Sequence, residues 1–177
     1  GTLPYSDTCR VRGYPGLTYE CFMDGVHMFF DGIGGQTENV RIDNLSPCVR
    51  KILPDGKRLW TQAFERSIEY YGFGVLPCSP GKGNEKGDVE RDIRSFAARI
   101  SNYCKTRGLV FRDWDELNKF LAEYMAIRQT ESSRERLQIE TGKLNHLPPR
   151  DEGVICRVEI ISATSYGTVR LGKSTYS

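Results

Sequence analysis

Between residues 39 and 108 the apolar pattern alternates between strand and helix periods, an order that favours folds in which helices cover a parallel sheet. Asn39-Val40-Arg41-Ile42 alternates polar with β-branched residues and runs into Asp43-Asn44, so it reads as a buried strand ending in a carboxylate. Trp60, Phe64 and Ile68 then recur at helical spacing, closed by Gly72. Phe73-Gly74-Val75-Leu76 is a second short strand. It opens into a Pro- and Gly-rich loop from Pro77 to Gly87 that excludes regular structure. A further helix is expected from Asp88 to Gly108, with Val89, Ile93, Phe96, Ala97, Ile100 and Cys104 on one face.

The flanks extend this pattern. Leu3 to Val11 reads as extended, and Tyr14-Pro15-Gly16 as a turn. Thr18 is placed to cap a helix carrying Phe22, Val26, Phe29, Phe30 and Ile33, with Gly34-Gly35 ending it and His27 off the centre of its apolar face. The stretch from Pro47 to the turn Pro54-Asp55-Gly56 reads as loop. Asp113-Trp114-Asp115-Glu116 has the form of an acidic capping box ahead of Leu117, Phe120, Leu121 and Tyr124. Arg128 to Arg136 is highly charged, and Leu147-Pro148-Pro149-Arg150 reads as a linker. Val154 to Ile161 and Thr168 to Leu171 are expected to form a β hairpin, which must lean on the core or on another copy because two strands alone are marginal.

A chain of 177 residues accommodates one domain with a small appendage. Its net charge of +2 does not by itself indicate nucleic-acid binding, so any such reading must rest on where the charges sit. No apolar run has the length of a membrane helix, and Gly1 to Arg10 lacks the regions of a signal peptide. The six cysteines contain no C-x-x-C pair and only two histidines accompany them, which excludes a standard zinc module and suits reduced cysteines in a cytoplasmic protein.

In an open α/β sheet, residues just past the carboxyl ends of strands and at the starts of the following helices converge on one edge. Asp43 and Glu90 could meet there, and two carboxylates beside a lysine-rich loop suit Mg²⁺ or Mn²⁺, with Lys82 and Lys86 supplying a positive field for phosphates. Each residue also has an ordinary role, Asp43 in a turn and Glu90 against a helix dipole, and spacing alone favours those roles. The loop is not a Walker motif, because Gly81-Lys82-Gly83-Asn84-Glu85-Lys86-Gly87-Asp88 has the wrong spacing and an aspartate where a hydroxyl is required. Neither His27 nor His146 has a neighbouring nucleophile in sequence, and they read as a partly exposed helix residue and a loop residue. Tyr70-Tyr71 and Tyr103-Lys105-Arg107 read as core edge with a solvated face rather than as a base-stacking platform.

Phe29-Phe30-Asp31-Gly32-Ile33-Gly34-Gly35, Ile42-Asp43-Asn44-Leu45, Tyr70-Tyr71-Gly72-Phe73 and Pro80-Gly81-Lys82-Gly83-Asn84-Glu85-Lys86-Gly87-Asp88-Val89-Glu90 resemble, in this order, the catalytic core of IstA-like insertion-sequence transposases, of the DDE group. Asp115-Glu116-Leu117-Asn118 and Leu147-Pro148-Pro149 resemble later parts of the same family. The resemblance implies an RNase H-like, integrase-type α/β core over residues 1–127, incomplete at its first strand, then a charged helical linker over 128–150. The start of a C-terminal β-barrel, seen as a β hairpin, would follow over 151–177.

Carried over by position, Asp43 matches the second catalytic aspartate and Glu90 the terminal glutamate. The family's first aspartate lies ahead of the segment matching Leu3-Pro4-Tyr5-Ser6, so the chain is expected to be a fragment, or a decayed copy, that neither cleaves nor joins DNA. The resemblance further implies two Mg²⁺ or Mn²⁺ ions in an intact site. Lys82, Lys86 and Arg94 are candidate phosphate contacts, and Asn44 is placed to orient Asp43. The expected partners are transposon-end and target DNA, further copies of the chain and an ATPase helper protein, in the bacterial cytoplasm at the nucleoid. The alternative is a non-catalytic DNA-binding or assembly module of the same fold.

Overall fold

The computed structural model describes residues 1–42, 46–77, 96–156, 162, 164–165, 168–171 and 174–176. It is a mixed α/β structure with small sheets, and its first helix, α1 (Tyr19–Ile33), lines the core. Local chemistry sets both ends of α1. The Thr18 side chain accepts from the Cys21 N–H, and Gly34, at φ 84°, adopts the left-handed conformation that closes the last turn. Tyr19, Met23, Phe30 and Ile33 lie buried along one face, joined by His27.

Ahead of α1, β1 (Thr2–Leu3) and β2 (Thr8–Cys9) pair antiparallel around a turn in which Asp7 takes a positive φ of 52°. Behind it, β3 (Asn39–Ile42) runs parallel to β6 (Gly74–Pro77), in the register Asn39↔Gly74 to Ile42↔Pro77. The crossover between these strands contains an antiparallel hairpin, β4 (Val49–Ile52) and β5 (Arg58–Trp60), followed by α2 (Gln62–Tyr71). Thr61 caps α2 by accepting from the Phe64 N–H, and Gly72 ends it at φ 74°. The core joins Leu3, Tyr19, Met23, Phe30, Ile33, Ile42, Cys48, Phe64, Tyr71, Phe73 and Ile155.

Two differences from the sequence reading concern this crossover. Residues 49–60 form a hairpin where a loop was expected, because strand pairing supplies the backbone partners that their charged, non-alternating sequence conceals. Trp60 accordingly belongs to β5 rather than to α2, and it reaches the helix only through its ring, 5.3 Å from Phe64.

After the segment outside the described residues, a helix over 96–106 (α3) leads to α4 (Trp114–Arg128). The Asp113 carboxylate accepts from the Glu116 N–H at 2.8 Å, while Glu116 reaches back to the Arg112 N–H, also at 2.8 Å. Phe96, Tyr103, Phe111, Phe120 and Tyr124 form an aromatic cluster of their own between α3 and α4. Arg107 lies over the Tyr103 ring at 3.9 Å, consistent with the core-edge reading of this stretch.

The charged segment resolves into α5 (Glu131–Thr141), a polar helix held largely by hydrogen bonds. Ser133 donates to the Ser6 carbonyl at 2.5 Å and the Ser6 N–H donates to Glu140 at 3.2 Å, which fixes α5 against the β1–β2 turn. The chain then doubles back, and Gln36 and Asn145 exchange backbone bonds of 3.0 and 2.9 Å. Gly35 is required there, since a Cβ would come within 2.8 Å of the Asn145 carbonyl.

Leu147-Pro148-Pro149-Arg150, expected as a linker, is instead strapped to the core. The Tyr70 hydroxyl donates to the Pro149 carbonyl at 2.9 Å. Beyond it, α6 (Glu152–Ile155) packs against α1 and α2. A buried network of the Tyr19 and Ser67 hydroxyls, 2.5 Å apart, with the Ala63 and Val154 carbonyls seats the segment. Residues 152–155 are therefore helix where a strand from Val154 was expected, because burial of Ile155 between α1 and α2 outweighs β propensity. Residues 157–161 of that expected strand lie outside the described residues. Farther on, β7 (Val169–Leu171) pairs antiparallel with β8 (Ser174–Tyr176).

Candidate functional site

The parallel pairing of β3 and β6 directs both carboxyl ends to one edge. Ile42 stands opposite Pro77 there, and the chain continues from these residues into positions 43 and 78. All six site residues read from the sequence, Asp43, Asn44, Lys82, Lys86, Glu90 and Arg94, lie outside the described residues, as does the loop from Cys78 to Gly87. Among the described residues, no group of three or more His, Cys, Asp or Glu could hold a metal ion.

The described residues fix the opposite end of the strands and the crossover between them. The carboxyl end of α2 sits at the amino ends of the strands, where the Gln36 side-chain amide donates to the Tyr71 carbonyl and the Gly74 N–H donates to Glu38 at 2.7 Å. The crossover from the carboxyl end of β3 thus passes through the hairpin and α2 before it reaches the amino end of β6. The Thr61 N–H donates to the Cys48 carbonyl at 2.9 Å, closing the base of the β4–β5 hairpin where α2 begins. The hairpin was not recognised in the sequence, although the concentration of Arg50, Lys51, Lys57 and Arg58 around one turn was a usable signal.

Both histidines face a different region. A cleft of about 440 Å³ is lined by His27, Asp31, His146 and the 147–150 segment. His27, expected to be partly exposed, is 8% exposed because its Nδ1 lies 3.0 Å from the Tyr71 hydroxyl. Burial pushes the Tyr71 hydroxyl up to about 12, so it remains protonated.

Next to this cleft, Asp24 draws together the Tyr14 hydroxyl, Arg150 at 2.5 Å and Arg12 at 3.5 Å. Burial raises the Asp24 carboxyl, but the bonds from Tyr14 and Arg150 and the two guanidinium charges outweigh it and hold the group below its ordinary range. Hydrogen bonds from Arg150 to Glu152 and Asp24 raise the guanidinium further. With its charge matched by two carboxylates, Arg150 serves as a clasp and leaves little positive field for an anion.

No family model matches the chain. The transposase for insertion sequences IS1326/IS1353 of Pseudomonas aeruginosa is 23% identical over 170 residues, covering 92% of this chain and 33% of that protein. The protein of the same name from Shigella flexneri gives the same figures. A candidate transposase for insertion sequence element IS5376 of Geobacillus stearothermophilus is 29% identical over 126 residues, covering 64% of this chain and 29% of the relative. The chain is thus similar to insertion-sequence transposases, as its ordered motifs anticipated, and spans about a third of the length of these curated relatives. No helix among the described residues is long and apolar enough to cross a membrane.

Proposed function

We propose that the chain is part of an IstA-like DDE transposase and contributes to DNA cleavage and strand transfer through an RNase H-like core. The observation that carries this reading is similarity to insertion-sequence transposases across nearly the whole chain. The parallel β3–β6 pair supports it, since its carboxyl edge leads directly into Asp43 on one strand and into the Lys82–Glu90 segment on the other.

Asp43 and Glu90 hold the metal in this reading, because two hard oxygen donors suit Mg²⁺ or Mn²⁺. Two ions bound there would supply an activated water and offset charge on the phosphate under attack. Asn44 orients Asp43, while Lys82, Lys86 and Arg94 receive the DNA backbone. Two carboxylates are fewer than a two-ion site uses, so the 177-residue chain is expected to bind metal without nicking DNA. In the complete assembly its partners are transposon ends, target DNA, further copies of the chain and an ATPase helper, at the bacterial nucleoid.

Mn²⁺ binding followed by electron paramagnetic resonance tests the site. Asp43→Asn or Glu90→Gln is expected to weaken binding about tenfold or more with folding intact. Unchanged binding in both variants removes the catalytic reading. If duplex DNA is still bound, the same fold serves as a DNA-binding or assembly module.

A further inference from the structure

The β4–β5 hairpin has features that burial does not explain. Its strands pair only with each other among the described residues, and a two-stranded unit is marginal without a packing surface. Among the described residues its base is anchored through the Thr61–Cys48 bond and the Trp60 ring against Phe64. Farther out, Ile52 stands opposite Arg58 and Lys51 opposite Leu59, with Ile52 48% and Leu59 44% exposed. A register shift between Val49 and Lys51 adds the local twist characteristic of an edge that is not extended by a further strand.

The segment is one of two basic stretches of the chain, the other being residues 99–112 with a net charge of +4. Arg50, Lys51, Lys57 and Arg58 against Asp55 give residues 49–60 a net charge of +3, so all other residues together contribute −1 to the chain total of +2. Lys57 is paired with Asp55 across the turn at 3.4 Å, and Arg58 donates to the Gly56 carbonyl at 3.3 Å. Arg50 and Lys51 are exposed and form no ion pair with any described residue. Exposed cations without an ion-pair partner among the described residues gain most from a partner that presents closely spaced negative charges. A nucleic-acid duplex does so at about one charge per 1.7 Å of axis, and a two-stranded β-ribbon matches the width of its major groove.

From this geometry we propose that the β4–β5 hairpin, which follows β3 in the chain, is a DNA-contacting arm, with Arg50 and Lys51 taking backbone phosphates of a duplex. The inference rests on the reading of DNA as the substrate and adds where the chain holds it. Because these contacts are to phosphate, the arm positions the duplex without reading its sequence.

Fluorescence anisotropy of the 177-residue chain with a short labelled duplex, across about 50 to 200 mM salt, tests the arm. Arg50→Ala with Lys51→Ala is expected to weaken binding about tenfold and to reduce the slope of log affinity against log salt by about 2. The exchange Arg50→Lys with Lys51→Arg is expected to preserve both values. So is Arg134→Ala with Lys143→Ala at and just beyond α5, which removes the same charge from another exposed place. Circular dichroism checks that every variant melts as the unsubstituted chain does.

If the unsubstituted chain binds and the Arg50/Lys51 alanine variant retains its slope, the arm is refuted while DNA remains the substrate. An equal loss from the Arg134/Lys143 variant refutes it too, since net charge would then be the cause. Polyglutamate bound as tightly as the duplex, with the same dependence on Arg50 and Lys51, would assign the hairpin to an acidic protein instead. Absence of any salt-dependent DNA binding by the unsubstituted chain removes both the arm and the substrate on which it rests.

Discussion

Arg150 lies 2.5 Å from the Asp24 carboxylate, joining positions separated by 126 residues and fastening the segment after α5 across α1. The bond is one of a series along that segment. Asn145 pairs with Gln36, Pro149 accepts from Tyr70, and Ile155 enters the core. Residues 142–155 are therefore part of the fold they follow.

The Asp24–Arg150 pair is expected to have a measurable coupling. Arg150→Ala and Asp24→Asn should each lower stability by about 1 kcal/mol, because the Arg150 side chain is over a third exposed and solvent screens its charge. A double-mutant cycle by urea denaturation should give a coupling of about 0.5 to 1 kcal/mol. Strict additivity would show that the two groups do not interact in solution.

The same carboxylate sets an acid limb. The folded pKa of Asp24 lies below the reference value of 3.8. Its contribution is thus complete above that reference and is lost as pH falls through the folded value. Stability of the unsubstituted chain should drop on acidification below about pH 4, and Asp24→Asn should flatten that drop. Parallel stability curves for the two proteins between pH 5 and 2 would remove Asp24 as a cause.

Ile155 should behave as a core residue although it stands in the expected tail. With 1% exposure, its replacement by Ala is expected to cost about 2 to 4 kcal/mol. Ile127→Ala, at a position 82% exposed on α4, should change stability by less than about 0.5 kcal/mol. Equal effects in thermal melts would mean that α6 does not dock as described.

Asn118 joins α4 to the segment before α1. It accepts from the Gly13 N–H at 2.7 Å and donates to the Gly13 carbonyl at 3.1 Å, as a neighbouring strand would. Asn118→Ala leaves both backbone groups without that partner and should cost about 1 to 3 kcal/mol. Hydrogen exchange at Gly13 should accelerate with it, and unchanged protection there would place the support of this segment elsewhere.

The elements legible in the sequence are those whose causes lie within a few residues. Thr18 and Gly34 bound α1 through a bond to Cys21 and a left-handed backbone, and Asp113 caps α4 through Glu116. Both are short-range interactions that residue type and spacing specify. The β3–α2–β6 order was legible for the same reason, and it located the edge at which Asp43 and Glu90 are proposed to act.

Tertiary structure decided the rest. The α5 helix is polar enough to read as linker until Ser6 and Glu140 provide partners more than a hundred residues apart in the chain. The strands β4 and β5 are too charged to declare themselves, and only their pairing across the Asp55 turn makes one basic arm of them. Val154 and Ile155 are β-branched, yet they are helical because the groove between α1 and α2 buries Ile155 and satisfies the Val154 carbonyl. Sequence determines structure locally where the partner is near; where burial and hydrogen bonds come from distant segments, the fold selects among conformations that local propensity leaves close in energy.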